Sequence, residues 1–227
     1  MQEAPDFRHI DTWIFDLDNT LYPADCELFA QIEERMTRYI ADRLHLSTAE
    51  ATRLRHTYYR TYGSTLCGLI AIHGVDPEPF LAHVHDVDLS ILRPNDALNH
   101  AVGRLRGRRF VFTNGCRHHA WRVLNRLGLE RSFDDIWDIR TVNFVPKPQV
   151  RAYEQVVAAA AIAPKGAAMF EDIACNLLPA HALGMTTVWI RNGVPTSDTD
   201  LQPNAITRHH INHEIDDLAE FLHAIRL

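Results

Sequence analysis

Asp16 and Asp18 stand two residues apart in Asp16-Leu17-Asp18-Asn19-Thr20, directly after the apolar run Trp13-Ile14-Phe15. Thr113 and Asn114 follow Phe110-Val111-Phe112 in the same way, and Glu171 and Asp172 follow Ala167-Ala168-Met169-Phe170. Lys147 lies between the last two groups, in Val145-Pro146-Lys147-Pro148. Several carboxylates at one site repel each other and lose solvation, so they need a cation. An all-oxygen set without His or Cys suits Mg²⁺, which keeps some waters and completes its shell with carboxylates and phosphate. A lysine and a threonine hydroxyl beside it suit phosphate oxygens. Phosphoryl transfer chiefly needs positioning and charge neutralisation, and an aspartate can act as its nucleophile.

Residues so far apart in the chain meet only if the fold gathers them. The three apolar runs, with a fourth at Thr186-Thr187-Val188-Trp189-Ile190, read as strands of a parallel sheet buried on both faces. Helical patterns separate them. His118 to Leu127 puts Trp121, Leu124 and Leu127 on one face, Val150 to Ala161 is rich in alanine, and Leu177 to Leu183 is stopped by Gly184. The alternation predicts an α/β core with a doubly wound, Rossmann-like parallel sheet, whose ligands sit outside the carboxyl ends of the strands.

From Ala24 to Leu92 the alternation stops. Phe29, Ile32, Met36, Tyr39 and Ile40 recur at helical spacing, as do Leu66, Leu69 and Ile70. Breaks at Leu46-Ser47, Gly63-Ser64 and Asp76-Pro77 divide the segment into about four helices. The pattern predicts an all-helical cap domain over residues 23–92, inserted into a core formed by 1–22 and 93–227. Gly193 to Pro203 reads as a loop and Ile215 to Ile225 as a closing amphipathic helix.

At 227 residues, 46% hydrophobic and 23% charged, the chain has ample apolar material for a packed core and is not a disordered protein. Its net charge of -6 argues against a nucleic-acid polymer as partner. The basic run from Arg104 to Arg109 reads as a solvated helix end and turn. Cys26, Cys67, Cys116 and Cys175 are scattered and form no C-x-x-C pair, so free thiols in a reducing compartment are expected. No apolar stretch reaches the roughly 18 residues of a membrane span, and Met1 to Trp13 lacks a secretory pattern. A cytoplasmic location is the expectation; nothing in the pattern signals an oligomeric state. Among the 14 histidines, His118 and His119 are adjacent, point to different helix faces and cannot share a metal. His209, His210 and His213 read as surface residues.

Taken in order, D-x-D-x-T, T-N-G, K-P and E-D-x-x-x-N resemble the four motifs of the haloacid dehalogenase-like phosphatase superfamily. The helical insertion after the first motif resembles that superfamily's first type of cap. Phe15 to Pro23, Tyr58 to Leu69, His85 to Leu98 and Phe112 to Leu129 are similar to the pyrimidine 5'-nucleotidase branch. Two positions depart from the pattern: Glu171 stands where a second aspartate is expected, and Ile173 replaces a small polar residue.

The resemblance implies roles. Asp16 attacks phosphorus and binds Mg²⁺. Asp18 protonates the leaving oxygen and then activates water, with its backbone carbonyl on the metal. Asp172 is a direct metal ligand, and Glu171 supports it or binds through water. Thr113 and the backbone amide of Asn114 hold phosphate oxygens, while Lys147 offsets the charge shared by Asp16 and the phosphate. Alone, D-x-D reads as aspartates capping the next helix, Thr113-Asn114-Gly115 as a turn and Lys147 as a surface residue. Asn176 reads as a structural hydrogen bonder. Tyr58, Tyr59, Tyr62, Phe29 and Phe80 either stack on a base or, more commonly, fill the cap's own core.

The function these readings lead to is hydrolysis of a small phosphorylated metabolite, a nucleoside monophosphate such as UMP or CMP. Other small phosphates (a sugar phosphate, phosphoglycolate) and a phosphomutase use the same motifs. A dehalogenase gives Asp18 no comparable task. A non-catalytic module that binds phosphorylated ligands needs neither Asp16 nor Asp18, yet both are present.

Overall fold

The computed structural model describes residues 4–191 and 208–227. Among these, six strands form one sheet: β1 (Thr12–Phe15), β2 (Arg108–Phe112), β3 (Asp135–Trp137), β4 (Ala167–Glu171), β5 (Thr186–Ile190) and β6 (His213–Ile215). Every pairing is parallel, in the spatial order β3-β2-β1-β4-β5-β6. The four apolar runs supply β1, β2, β4 and β5. Strands β3 and β6 are three residues each, too short to show as runs.

All residues of β1 and β4 are buried. Phe15 and Phe170 stack across them with ring centroids 4.6 Å apart, and burying each such side chain contributes about 1.5–3 kcal/mol. The approach to β2 turns at Gly107, where φ is +86° and a Cβ would fall 2.0 Å from the Asp11 carbonyl oxygen. Only glycine fits that position.

The segment after β1 carries α1 (Leu28–Leu44), α2 (Thr48–Tyr62), α3 (Thr65–His73) and α4 (Pro77–Val84). Its boundaries lie where the breaks predict. Ser47 and Glu50 form a capping box at the start of α2, Gly63 ends it in the left-handed conformation, and Asp76 caps α4 with Pro77 in its first turn. The remaining helices are α5 (Asp96–Gly103), α6 (Arg117–Leu127), α7 (Val150–Ala159), α8 (Leu177–Leu183) and α9 (Leu218–Ala224). Tyr58 and Phe80, on α2 and α4 of this segment, are buried.

The junction of α2 and α3 rests on the loop that carries Lys147. The Cys67 thiol donates to the Phe144 carbonyl at 3.2 Å, and a Cβ at Gly63 would lie 3.0 Å from Pro146 Cγ. The far side of the segment is tied down by Arg122, which donates to the carbonyls of His85 and Val87.

Three sequence expectations need correction. On α6 the buried stripe is His119, Ala120, Val123, Leu124 and Leu127, while Trp121 is exposed. Ala120, Val123, Leu124 and Leu127 follow the i, i+3, i+4, i+7 rule, and His119 joins them because its ring has a buried partner, described below. His210 is buried rather than superficial, with its Nε2 within 3.0 Å of the Ala174 carbonyl. The closing helix begins at Leu218, since Ile215 belongs to β6. The loop expected over 193–203 lies outside the described residues. All four cysteines are free thiols. Among the described residues no helix is long and apolar enough to cross a membrane.

Candidate active site

The Asp16 amide donates to the Phe170 carbonyl at 2.9 Å, so Asp16 extends the β1–β4 ladder one residue past the end of β1. The chain runs outward from β1 through β2 to β3, then returns to β4 on the other side of β1. A crevice opens at such a reversal, beyond the carboxyl ends of the strands. Glu171 ends β4 beside it, Asp172 follows, and Thr113 extends β2, its amide donating a hydrogen bond to the Trp137 carbonyl at 3.0 Å.

Lys147 enters from a loop and is fully buried; its Nζ lies 2.6 Å from Asp16 Oδ1 and 2.6 Å from Glu171 Oε2. The side chain of Asn114 brackets the lysine backbone, accepting from Lys147 N and donating to Lys147 O. The Lys147–Pro148 peptide bond is cis. One carboxylate oxygen from each of Asp16, Glu171 and Asp172 fits a set in which all lie within 4.8 Å of one another.

Burial and the charge of Glu171 push the Asp16 carboxyl up to about 8, despite Lys147. Burial, Glu171 and Asp16 hold Asp172 well above the carboxylate range. Burial opposes the charge on Lys147, but Asp16 and Glu171 outweigh it and raise its proton affinity. One ammonium therefore faces three close carboxylates, an imbalance that a hard divalent cation removes. The donors are all oxygen, so the set fits Mg²⁺. Glu171 is the most committed of the three: Oε2 accepts from Lys147 and Oε1 from the Ile173 amide at 3.2 Å. Asp172 Oδ1 lies 3.5 Å from the Thr20 hydroxyl.

Asp18 is held apart from this cluster. The Tyr22 hydroxyl donates to its Oδ1 at 2.7 Å, and His119 Nε2 lies 2.9 Å from the same oxygen. Burial would raise the Asp18 carboxyl, but the His119 imidazole and these two hydrogen bonds outweigh it and hold the carboxyl below its ordinary range. Thr113 is buried, and its hydroxyl accepts from the Gly115 amide at 2.9 Å. Cys116 then caps α6, so the positive end of that helix opens beside Thr113 and Asn114.

Of the predicted residues, Asp16, Lys147, Glu171 and Asp172 meet directly, and Asn114 seats the lysine. Asp18 shares no hydrogen bond with them among the described residues. Tyr22 and His119 are additions that the motifs do not reveal, and Thr20, the threonine of the first motif, joins as the neighbour of Asp172. Tyr22 lies one turn after Asp18, and His119 lies in the first turn of the helix that follows the second motif.

A family model for haloacid dehalogenase-like hydrolases matches residues 10–184. The chain is 27% identical over 192 residues to phosphate metabolism protein 8 of Saccharomyces cerevisiae. That alignment covers 76% of this chain and 59% of the yeast protein, so the chain spans less than two thirds of that relative's length. Among solved structures, the magnesium-bound HAD-hydrolase YfnB of Bacillus subtilis shares the fold with a TM-score of 0.59 at 16% identity, covering 96% of this chain and 99% of that one. A HAD phosphatase from Thermococcus onnurineus (TM-score 0.59, 18% identity, 96% and 100% covered) and the L-2-haloacid dehalogenase of Xanthobacter autotrophicus (0.59, 15%, 96% and 100%) do so too. The family match spans most of the chain and includes both strands that flank the crevice, and so this protein belongs to the haloacid dehalogenase-like hydrolases.

Proposed function

We propose that the chain is a Mg²⁺-dependent phosphomonoesterase that forms an aspartyl-phosphate on Asp16 and prefers pyrimidine nucleoside 5'-monophosphates. The observation that carries the reading is the arrangement around Asp16, with Lys147 at 2.6 Å on one side and a separate, partly buried carboxylate, Asp18, held in reserve. Asp16, Asp172 and the Asp18 backbone carbonyl would hold Mg²⁺, with Glu171 in support. The bound ion supplies charge neutralisation for the phosphate.

The protein's own residues divide the remaining work. Asp16 attacks phosphorus while Lys147 limits repulsion between its carboxylate and the phosphate. Thr113 and the Asn114 amide, at the positive end of α6, take phosphate oxygens. Asp18 gives a proton to the leaving oxygen and then draws one from the attacking water. A bound phosphate dianion adds negative charge nearby and raises the proton affinity of Asp18. Dehalogenases share the fold, but a departing halide needs no proton, whereas a departing alkoxide does. A partly buried Asp18 with two dedicated donors suits the alkoxide.

Residues 23–92 act in this reading as a cap that closes over the substrate and selects it. The nucleotide preference rests on the segments similar to the pyrimidine 5'-nucleotidase branch, of which Tyr58 to Leu69 lies wholly in that cap and His85 to Leu98 begins in it. The yeast relative's name, phosphate metabolism protein 8, agrees with phosphate-ester chemistry.

The test is phosphate release with Mg²⁺ from UMP, CMP, other nucleotides, sugar phosphates and phosphoglycolate, beside Asp16→Asn. Preference for UMP and CMP, lost entirely in the variant, is expected. Faster release from sugar phosphates retains the mechanism and removes the nucleotide assignment. Full activity in Asp16→Asn sinks the mechanism.

A further inference from the structure

We propose that His119 and Tyr22 are positioning residues that fix Asp18 by one carboxylate oxygen and leave the other free to exchange a proton with the leaving group. The inference rests on the reading of Asp18 as the proton carrier. Both donors converge on Oδ1, at 2.9 Å and 2.7 Å, and among the described residues no hydrogen bond falls on Oδ2. A carboxylate pinned twice at one oxygen cannot rotate about its terminal bond without losing both contacts, so Oδ2 keeps one direction. That fixed aim is what general acid–base transfer requires.

The seat of His119 is built for this one contact. The ring is fully buried, and its Nδ1 has no partner among the described residues. Its hydrogen bonding is therefore spent on Asp18, with Nε2 as the donor, because an ionised carboxylate only accepts. One face of the ring stacks on His85, with centroids 4.5 Å apart and planes 16° from parallel. His85 Nδ1 in turn lies 3.2 Å from the Cys116 thiol, which also accepts from the His119 amide at 3.4 Å. A Cβ at Gly115 would make only ordinary contact with the two histidines, at 3.4 Å from His85 Nε2 and 3.7 Å from His119 Cδ2, and its one tight neighbour would be Thr113 Oγ1 at 3.2 Å. Swinging the His119 ring away from Asp18 would break its stack on His85.

The proton steps balance. As Asp16 forms its bond to phosphorus, the bond from phosphorus to the leaving oxygen breaks and the proton on Asp18 Oδ2 passes to that oxygen. In the second step Asp18 Oδ2 takes a proton from water as water's oxygen bonds phosphorus and the Asp16–phosphorus bond breaks.

The experiment compares first-turnover release of the leaving group from two esters. From UMP the departing group is the uridine 5'-alkoxide, which needs a proton, and from p-nitrophenyl phosphate it is p-nitrophenolate, a stable aryl oxide that does not. The proteins are wild type, Tyr22→Phe, His119→Ala, His119→Gln and Asp18→Asn, each checked for folding by circular dichroism. His119→Ala and Tyr22→Phe are expected to slow release from UMP about 10- to 100-fold. Release of the first p-nitrophenol should fall far less and become a burst, because the later attack by water still needs Asp18. His119→Gln, which keeps a donor near Nε2, should recover most of the loss. If His119→Ala does not fold, Tyr22→Phe and His119→Gln carry the comparison. Equal losses on both esters, or none, in Tyr22→Phe and the His119 variants overturn the positioning role while Asp18→Asn still shows the leaving-group split. Absence of that split in Asp18→Asn, or of wild-type turnover with either ester, overturns the underlying reading as well.

Discussion

Asn114 grips Lys147 at both backbone ends: its Oδ1 accepts from the lysine amide at 2.8 Å and its Nδ2 donates to the lysine carbonyl at 3.2 Å. The side chain of Asn114 is therefore a brace for the lysine, separate from any work done by its backbone amide. Asn114→Ala keeps the amide and removes the brace. We expect turnover to fall about 10- to 100-fold, since a misplacement of about 1 Å suffices for that. Stability should fall by only about 1–3 kcal/mol for two lost hydrogen bonds. Steady-state kinetics beside denaturant unfolding separates the two effects.

Lys147→Met fills similar space without the charge. It leaves Asp16 and Glu171 buried and facing each other with no cation between them, a loss of about 3–5 kcal/mol. Thermal unfolding in EDTA should show the full loss. Excess Mg²⁺ should recover part of it, because the ion neutralises the same carboxylates. No recovery with Mg²⁺ would place the ion elsewhere.

Without a divalent cation, the carboxyl of Asp16 is pushed up to about 8 in the fold, from an ordinary 3.8. A raised carboxyl favours the folded state fully only below about pH 4, and this contribution is lost as pH rises through about 8. Each pH unit in that window costs up to about 1.4 kcal/mol. Mg²⁺ replaces the proton in neutralising the cluster, so its stabilising effect should be larger at pH 8.5 than at pH 6. Melting curves at both pH values, with Mg²⁺ and with EDTA, test the sign. A larger Mg²⁺ shift at pH 6 would refute it.

Gly68 packs α3 against α2 so closely that a Cβ would lie 2.4 Å from Tyr58 Cγ. Gly68→Ala overfills that contact and should destabilise by about 1–3 kcal/mol. Since Tyr58 lies beneath the α2–α3 junction that rests on the lysine loop, KM should rise with it. Denaturant unfolding and kinetics on the purified variant measure both, and an unchanged midpoint would show that the two helices slide apart without cost.

The parts of this molecule legible in its sequence are those whose cause is local. Strands β1, β2, β4 and β5 announce themselves as apolar runs, and the residues at or just beyond the ends of three of them line the candidate site. Ser47, Gly63 and Asp76 mark helix ends through capping chemistry contained within a few residues. The illegible parts have distant causes. His119 is buried because of Asp18, 101 residues away, and no helical periodicity contains that fact. His210 is buried against the Ala174 carbonyl, 36 residues back. Glu171 looks like a weakened metal ligand until its longer arm is seen to reach Lys147.

Strand β1 is hydrogen-bonded on both sides along its full length, by β2 and by β4. Asp16 hangs from the segment of backbone whose amides are expected to exchange with solvent last. Partial openings at the short outer strands, β3 and β6, leave it undisturbed. Asp16 can lose its alignment through the sheet only when the whole sheet parts. Lys147 lacks that protection, because its place depends on one asparagine side chain and on the helices resting on its loop. Under mild denaturant the two halves of the ion pair therefore fail at different times: the lysine drifts while the aspartate still stands in register.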